Sequence, residues 1–91
     1  MNEDDARLNL DRAHRAKRIY EDELFVDAVE GIKERLWKDF SQSKLDDDTL
    51  RLQARIGIDM LDKICGAFRK HMENGKLAQR DLSLVEERKR A

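Results

Sequence analysis

The side chains able to do chemistry are few and scattered. Among 91 residues there are two histidines, His14 and His71, and one cysteine, Cys65. A catalytic or metal centre needs several reactive groups converging on one pocket. Neither histidine has a second histidine or a cysteine at ligand spacing, so each reads as a surface helix residue. Cys65 falls among apolar positions, where a small buried hydrophobe is a simpler reading than a nucleophile. Asp46, Asp47 and Asp48, with Asp59 and Asp62 further on, match no calcium loop, and consecutive helical residues point in different directions. Helix capping accounts for the triplet, and i, i+4 patterning among Arg55, Lys63 and Arg69 for the later pair. No glycine-rich phosphate loop or Gly-x-Ser-x-Gly element occurs. The expectation is a non-enzyme with no metal and no cofactor.

Nucleic-acid binding is the more serious chemistry. Arg12, Arg15, Lys17 and Arg18 are candidate phosphate contacts from one side of a helix, and Arg69, Lys70, Lys76 and Arg80 could form a second patch. Each such residue that neutralises a phosphate steepens the salt dependence of binding. Against this, 19 basic and 20 acidic residues leave a net charge of −1. No helix-turn-helix spacing is apparent. Tyr20, Phe25, Trp37, Phe40 and Phe68 mostly fall on core stripes, so they offer no stacking platform. A solvated, salt-bridged face competes with DNA contact as the reading of the basic cluster.

The elements that must position these residues are helices. Charged residues make up 43% of the chain and aromatics 5%, with no proline, which suits long solvated helices rather than sheets. Residues 4–20 form a first helix, with Asp4 or Asp5 as its cap and an apolar edge of Leu10, Ala13, Ala16, Ile19 and Tyr20. At Glu21-Asp22-Glu23 the pattern changes phase. Asp22 can cap a second helix, although one helix running straight through is not forbidden. From there Phe25, Val29, Ile32, Leu36 and Phe40 step by four, three, four and four. They are expected as core, with Trp37 at the rim or at a subunit contact. Ser41 to Lys44 is the connection.

Residues 46–74 make the longest helix, which at 29 residues is roughly 40 Å long. Leu50, Ala54, Gly57, Leu61, Ile64, Cys65, Phe68 and Met72 share one of its faces. Gly57, on that face, lets another backbone come close. Asn74-Gly75 is read as a stop, because glycine takes the left-handed conformation that ends helices. Leu77, Ala78, Leu82 and Val85 form a weak last stripe, with Ser83 and Glu86 as a capping box. The fold expected is all-α: an antiparallel helical hairpin, about 23–40 and 46–74, with a short N-terminal helix and a weak C-terminal helix, all in one small domain spanning 1–91. A helix this long is not wrapped by the rest of so short a chain, so a partner or a second copy is expected to cover it. No apolar run approaches a membrane span, MNEDDARLNL is not a signal peptide, and a lone cysteine fits the reducing cytosol. A cytoplasmic helical protein without membrane contact is the expected class.

The segments DRAHRAKRIYEDELFVDAVEGIKERLWKDF and LDKICGAFRKHMENGKLAQRDL add a resemblance. Their arginine/alanine lead-in (Arg12, Ala13, Arg15, Ala16), acidic break (Glu21, Asp22) before Leu24-Phe25, aromatic-ended helix and Gly75-Lys76-Leu77-Ala78 exit resemble small all-helical proteins of tailed bacteriophages. Those proteins are encoded among genes for DNA packaging and head building. The resemblance implies a non-enzymatic homo-oligomer of the host cytoplasm or the virion, with phage capsid, portal or terminase proteins as partners. A virion-assembly component acting through protein contacts is the favoured expectation, and a ring-forming small terminase subunit that binds DNA is the alternative. A dimeric helical regulator needs no phage context. The helical stripes themselves give Phe25, Val29, Ile32, Leu36, Trp37, Phe40, Gly57, Leu61, Ile64, Phe68 and Met72 as the expected core or interface, and the basic cluster gives Arg12, Arg15, Lys17 and Arg18 as candidate nucleic-acid contacts. The usual N-terminal helix-turn-helix is missing, so no DNA-contact residue carries over from that family.

Overall fold

The computed structural model describes residues 2–44 and 47–90. It holds three helices, α1 (Glu3–Tyr20), α2 (Glu23–Gln42) and α3 (Asp48–Arg90), and no strand among the described residues. The chain divides into two compact units, Met1–Tyr20 with Ala67–Ala91, and Glu21–Gly66. α3 contributes its first part to one unit and its second part to the other.

In the first unit α1 lies against the second part of α3, and three contacts give the direction. Glu3 is 3.6 Å from Lys89, Ala13 abuts Gly75, and Tyr20 sits at a ring-centroid distance of 6.4 Å from Phe68. Positions rise along α1 as they fall along α3, so the pair is antiparallel. Its seam is built of small residues. Ala6, Ala13 and Ala16 are buried on α1, with Gly75 and Ala78 opposite, Ala78 at 0% exposure. Interhelical spacing follows side-chain size at the contact, so alanine facing glycine brings the backbones unusually close. A Cβ built on Gly75 would stand 2.1 Å from the Ala13 Cβ and 3.8 Å from the Asn9 carbonyl oxygen. No alanine could sit there without moving α1.

That contact overturns the expected helix stop. Gly75 has no positive φ, and α3 runs through it without a break to Arg90. The glycine serves close packing rather than a left-handed cap. The expected weak C-terminal helix is therefore the second part of one 43-residue helix. Ser83 caps nothing: its hydroxyl donates to the Gln79 carbonyl at 2.9 Å, inside the helix. At the other end, Asn2 rather than Asp4 or Asp5 caps α1, its Oδ1 accepting the Asp5 N–H at 2.7 Å. The acidic pair lies in the first turn, where it suits the helix dipole. Glu3 is held below its ordinary carboxylate pKa by the Arg7 hydrogen bond first and then by the charge of Lys89. The stabilisation this gives is present above the ordinary carboxylate value and lost as pH falls through the lowered one; open to solvent, it is small.

In the second unit Asp22 begins α2 as expected. Its Oδ1 accepts from the N–H groups of Leu24 at 2.9 Å and Phe25 at 3.2 Å, so residues 3–42 form two helices rather than one. α2 runs on into the expected connection as far as Gln42, and Ser43 closes it, its hydroxyl donating to the Phe40 carbonyl at 2.7 Å. Asp47 Oδ1 accepts the Leu50 N–H at 3.2 Å at the start of α3, and Arg51 reaches back to donate to the Lys44 carbonyl at 2.9 Å. Asp46, also expected as a cap and as the first residue of the long helix, lies outside the described residues. Leu36 lies over Gly57, its Cδ2 3.0 Å from where a Cβ would be, and Lys33 pairs with Asp62 at 3.4 Å.

The buried set on α3 in this unit is Ala54, Leu61 and Cys65, and α2 buries no residue. Of the residues expected as core or interface, Leu61 is buried, while Phe25, Val29, Leu36, Gly57, Phe68 and Met72 are half-buried. Ile32, Trp37, Phe40 and Ile64 are exposed. Two helices side by side leave most of each circumference in water, so a stripe broader than the contact cannot all be covered by it.

Alanine at Gly75 should cost about 1–3 kcal/mol through overpacking, although alanine is the better helix former by about 1 kcal/mol. Urea unfolding followed by circular dichroism reads the loss, and adding Ala13→Gly should recover part of it. A Gly75→Ala chain as stable as the parent would show that α1 does not seat there.

Candidate interaction surfaces

The groups with chemical potential are dispersed, and several are occupied with structure. His14 is exposed on α1 and His71 on α3. Asp62 is engaged with Lys33 across the α2–α3 contact, which corrects the expectation that it serves only patterning along its own helix. Among the described residues no group of three or more His, Cys, Asp or Glu side chains is placed to hold a metal ion. No described helix is long and apolar enough to cross a membrane. Cys65 is buried with a free thiol, consistent with its place beside Leu61 on the inward face of α3.

The basic residues of α1 are only partly brought together. Arg12 and Arg15 flank an open hollow with Ala16, Ile19, Phe68 and His71. Lys17 and Arg18 are exposed but do not line it. Arg15 is 3.7 Å from Asp11, so part of its charge is answered within α1. Arg69 donates to the Tyr20 hydroxyl at 3.0 Å. Along α3 Arg69, Lys76 and Arg80 recur at seven and four residues on one side, with Glu73 among them and Lys70 a quarter turn away.

Exposed apolar side chains form a second feature. On α3, Leu52, Ile56, Met60 and Ile64 are all exposed and follow one another every four residues. They lie away from the helix face that buries Ala54, Leu61 and Cys65 and form a second apolar line beside it. Sequence reasoning placed Ile64 on the inward stripe and missed the other three. Their i, i+4 recurrence was the available signal, masked by the stronger stripe next to it. On α2, Trp37 is 54% exposed and packs edge-to-face with Phe40, ring centroids 5.9 Å apart at 82°. Single exposed apolar residues are ordinary on any protein, whereas these four recur every fourth residue along α3.

The chain matches no protein-family model, no curated protein sequence and no solved structure. Its surfaces must be read on their own chemistry.

Cys65 offers a check on the inward face. In the native chain it should react with a thiol reagent at least roughly 100-fold more slowly than in urea, since access requires local opening. Equal rates would show that the α3 face carrying Leu61 and Cys65 is not covered.

Proposed function

We propose that this chain is a non-enzymatic helical assembly protein that works through protein–protein contacts. In this reading it is a virion-assembly component of the kind the phage resemblance implies. The observation that carries it is the uncovered line of Leu52, Ile56, Met60 and Ile64 along α3. Burying a large aliphatic side chain is worth roughly 1.5–3 kcal/mol, and a chain whose own buried positions are mostly alanines leaves that stabilisation to a partner. The presenting element is an antiparallel hairpin of α2 and the first part of α3, a geometry supported by the Leu36–Gly57 and Lys33–Asp62 contacts. A non-enzymatic role fits a cysteine buried on the inward face of α3.

A ring-forming, DNA-binding packaging subunit is the second reading, favoured by the convergence of Arg12 and Arg15 on one hollow. Native mass spectrometry at two salt concentrations separates the two, run with a phage coat or portal protein and, separately, with a short DNA duplex. The assembly reading expects a discrete protein complex indifferent to DNA. Ile56→Lys with Met60→Lys should abolish that complex without loss of helicity. A closed ring that takes up duplex at low salt, and loses it when Arg12 and Arg15 are reversed, would instead establish the packaging subunit.

A further inference from the structure

Gly57 and Gly75 lie inside α3 where another side chain comes close, Leu36 and Ala13 respectively. Gly31 is different. Nothing lies within 4 Å of where its Cβ would be, yet it sits mid-helix in α2, a position where glycine is disfavoured relative to alanine. It lies in an open hollow on α2 lined by Asp27, Ala28, Ile32 and Arg35. Leu24, one turn before Ala28, is 78% exposed.

We propose that this hollow receives a second copy of the same chain, two α2 helices crossing antiparallel at Gly31 about a two-fold axis. Glycine at a crossing point allows close backbone approach, the use that Gly75 already has within the chain. The charges choose both the occupant and the direction. Asp27 stands four residues before Gly31 and Arg35 four after it, and both line the hollow. A two-fold axis at Gly31 sets Asp27 of each copy against Arg35 of the other, two opposite-charge pairs from one repeated contact. A parallel crossing would set Asp27 against Asp27 and Arg35 against Arg35, which repels. A foreign helix would have to carry the same two charges in reverse order, and this chain already does. The same symmetry lays Leu24 on the aliphatic stem of Lys38, seven residues either side of Gly31. Among the described residues neither Asp27 nor Arg35 makes an ion pair within the chain. The proposal does not rest on the assembly reading, because that reading uses the Ile56–Met60 line of α3.

Sedimentation equilibrium on the full chain, paired with thermal unfolding, tests it. The parent should show a monomer–dimer equilibrium that weakens with salt. Gly31→Ala should move two readouts in opposite directions: a higher melting temperature for the dilute monomer, and at least roughly tenfold weaker dimerisation. Asp27→Lys and Arg35→Glu should each weaken the dimer alone. An equimolar mixture of the two should restore it as a heterodimer, since both pairs are then complementary. A chain that stays monomeric up to about 1 mM would overturn the proposal. So would a dimer indifferent to Gly31→Ala, or a mixture that fails to recover. A dimer lost in the Ile56→Lys, Met60→Lys chain but kept in the Gly31 and charge variants would place the contact on α3 and overturn it as well.

Discussion

The approach of α1 to α3 at Ala13 and Gly75 is the contact on which the unit they form depends. One missing methyl at position 75 lets the helices come together at a distance that alanine would forbid. The neighbouring positions must then also be small, and they are: Ala6, Ala16 and Ala78 are buried around it. The same contact decides what the glycine does to its own helix. With α1 packed on it, Gly75 keeps a right-handed conformation, and α3 continues through residues that would otherwise have begun a separate element.

A seam of small residues has an energetic consequence. Each buried methyl contributes about 0.8 kcal/mol, far less than a buried leucine or isoleucine. Among the described residues no large side chain is fully buried, and many of the bulky apolar ones are on the surface. The chain therefore holds itself together by close backbone approach, capping and a few half-buried side chains. Many of its large apolar side chains stay outward, among them Leu52, Ile56, Met60 and Ile64 on α3 and Leu24, Ile32, Trp37 and Phe40 on α2. Its charges are spent in a similar way, on the Asp22 and Asp47 caps, the Lys33–Asp62 pair and the Glu3 cluster.

The three glycines with described surroundings show how differently one residue type can act. Gly57 and Gly75 each receive a side chain from a neighbouring helix, while Gly31 faces open space beside an acidic and a basic residue. Helix propensity treats them alike. Only what comes close to each one distinguishes packing glycines from a surface one.

Local rules made much of this chain legible. The all-helical composition, the start of α2 at Asp22, the phase change before it and the inward placement of Ala54, Leu61 and Cys65 follow from capping chemistry and helical periodicity, which act over one or two turns. Local rules misled where a residue's role depended on something distant in sequence. Asn74-Gly75 reads as a stop, and Ser83 with Glu86 as a new start, until Ala13, some sixty residues earlier, is seated on the glycine. Asp62 looks like a member of its own helix's charge pattern until Lys33 of α2 reaches it. The stronger apolar stripes were visible as stripes, but periodicity says only that a face is hydrophobic and not how much of it one neighbouring helix can cover. The sequence by itself determined that the chain is helical, where α2 begins and which residues form its main apolar stripes, because hydrogen bonding and side-chain spacing are local. Which glycine packs, where α3 ends and which bulky residues remain outside was decided by tertiary structure, because close packing between distant segments has no local signature.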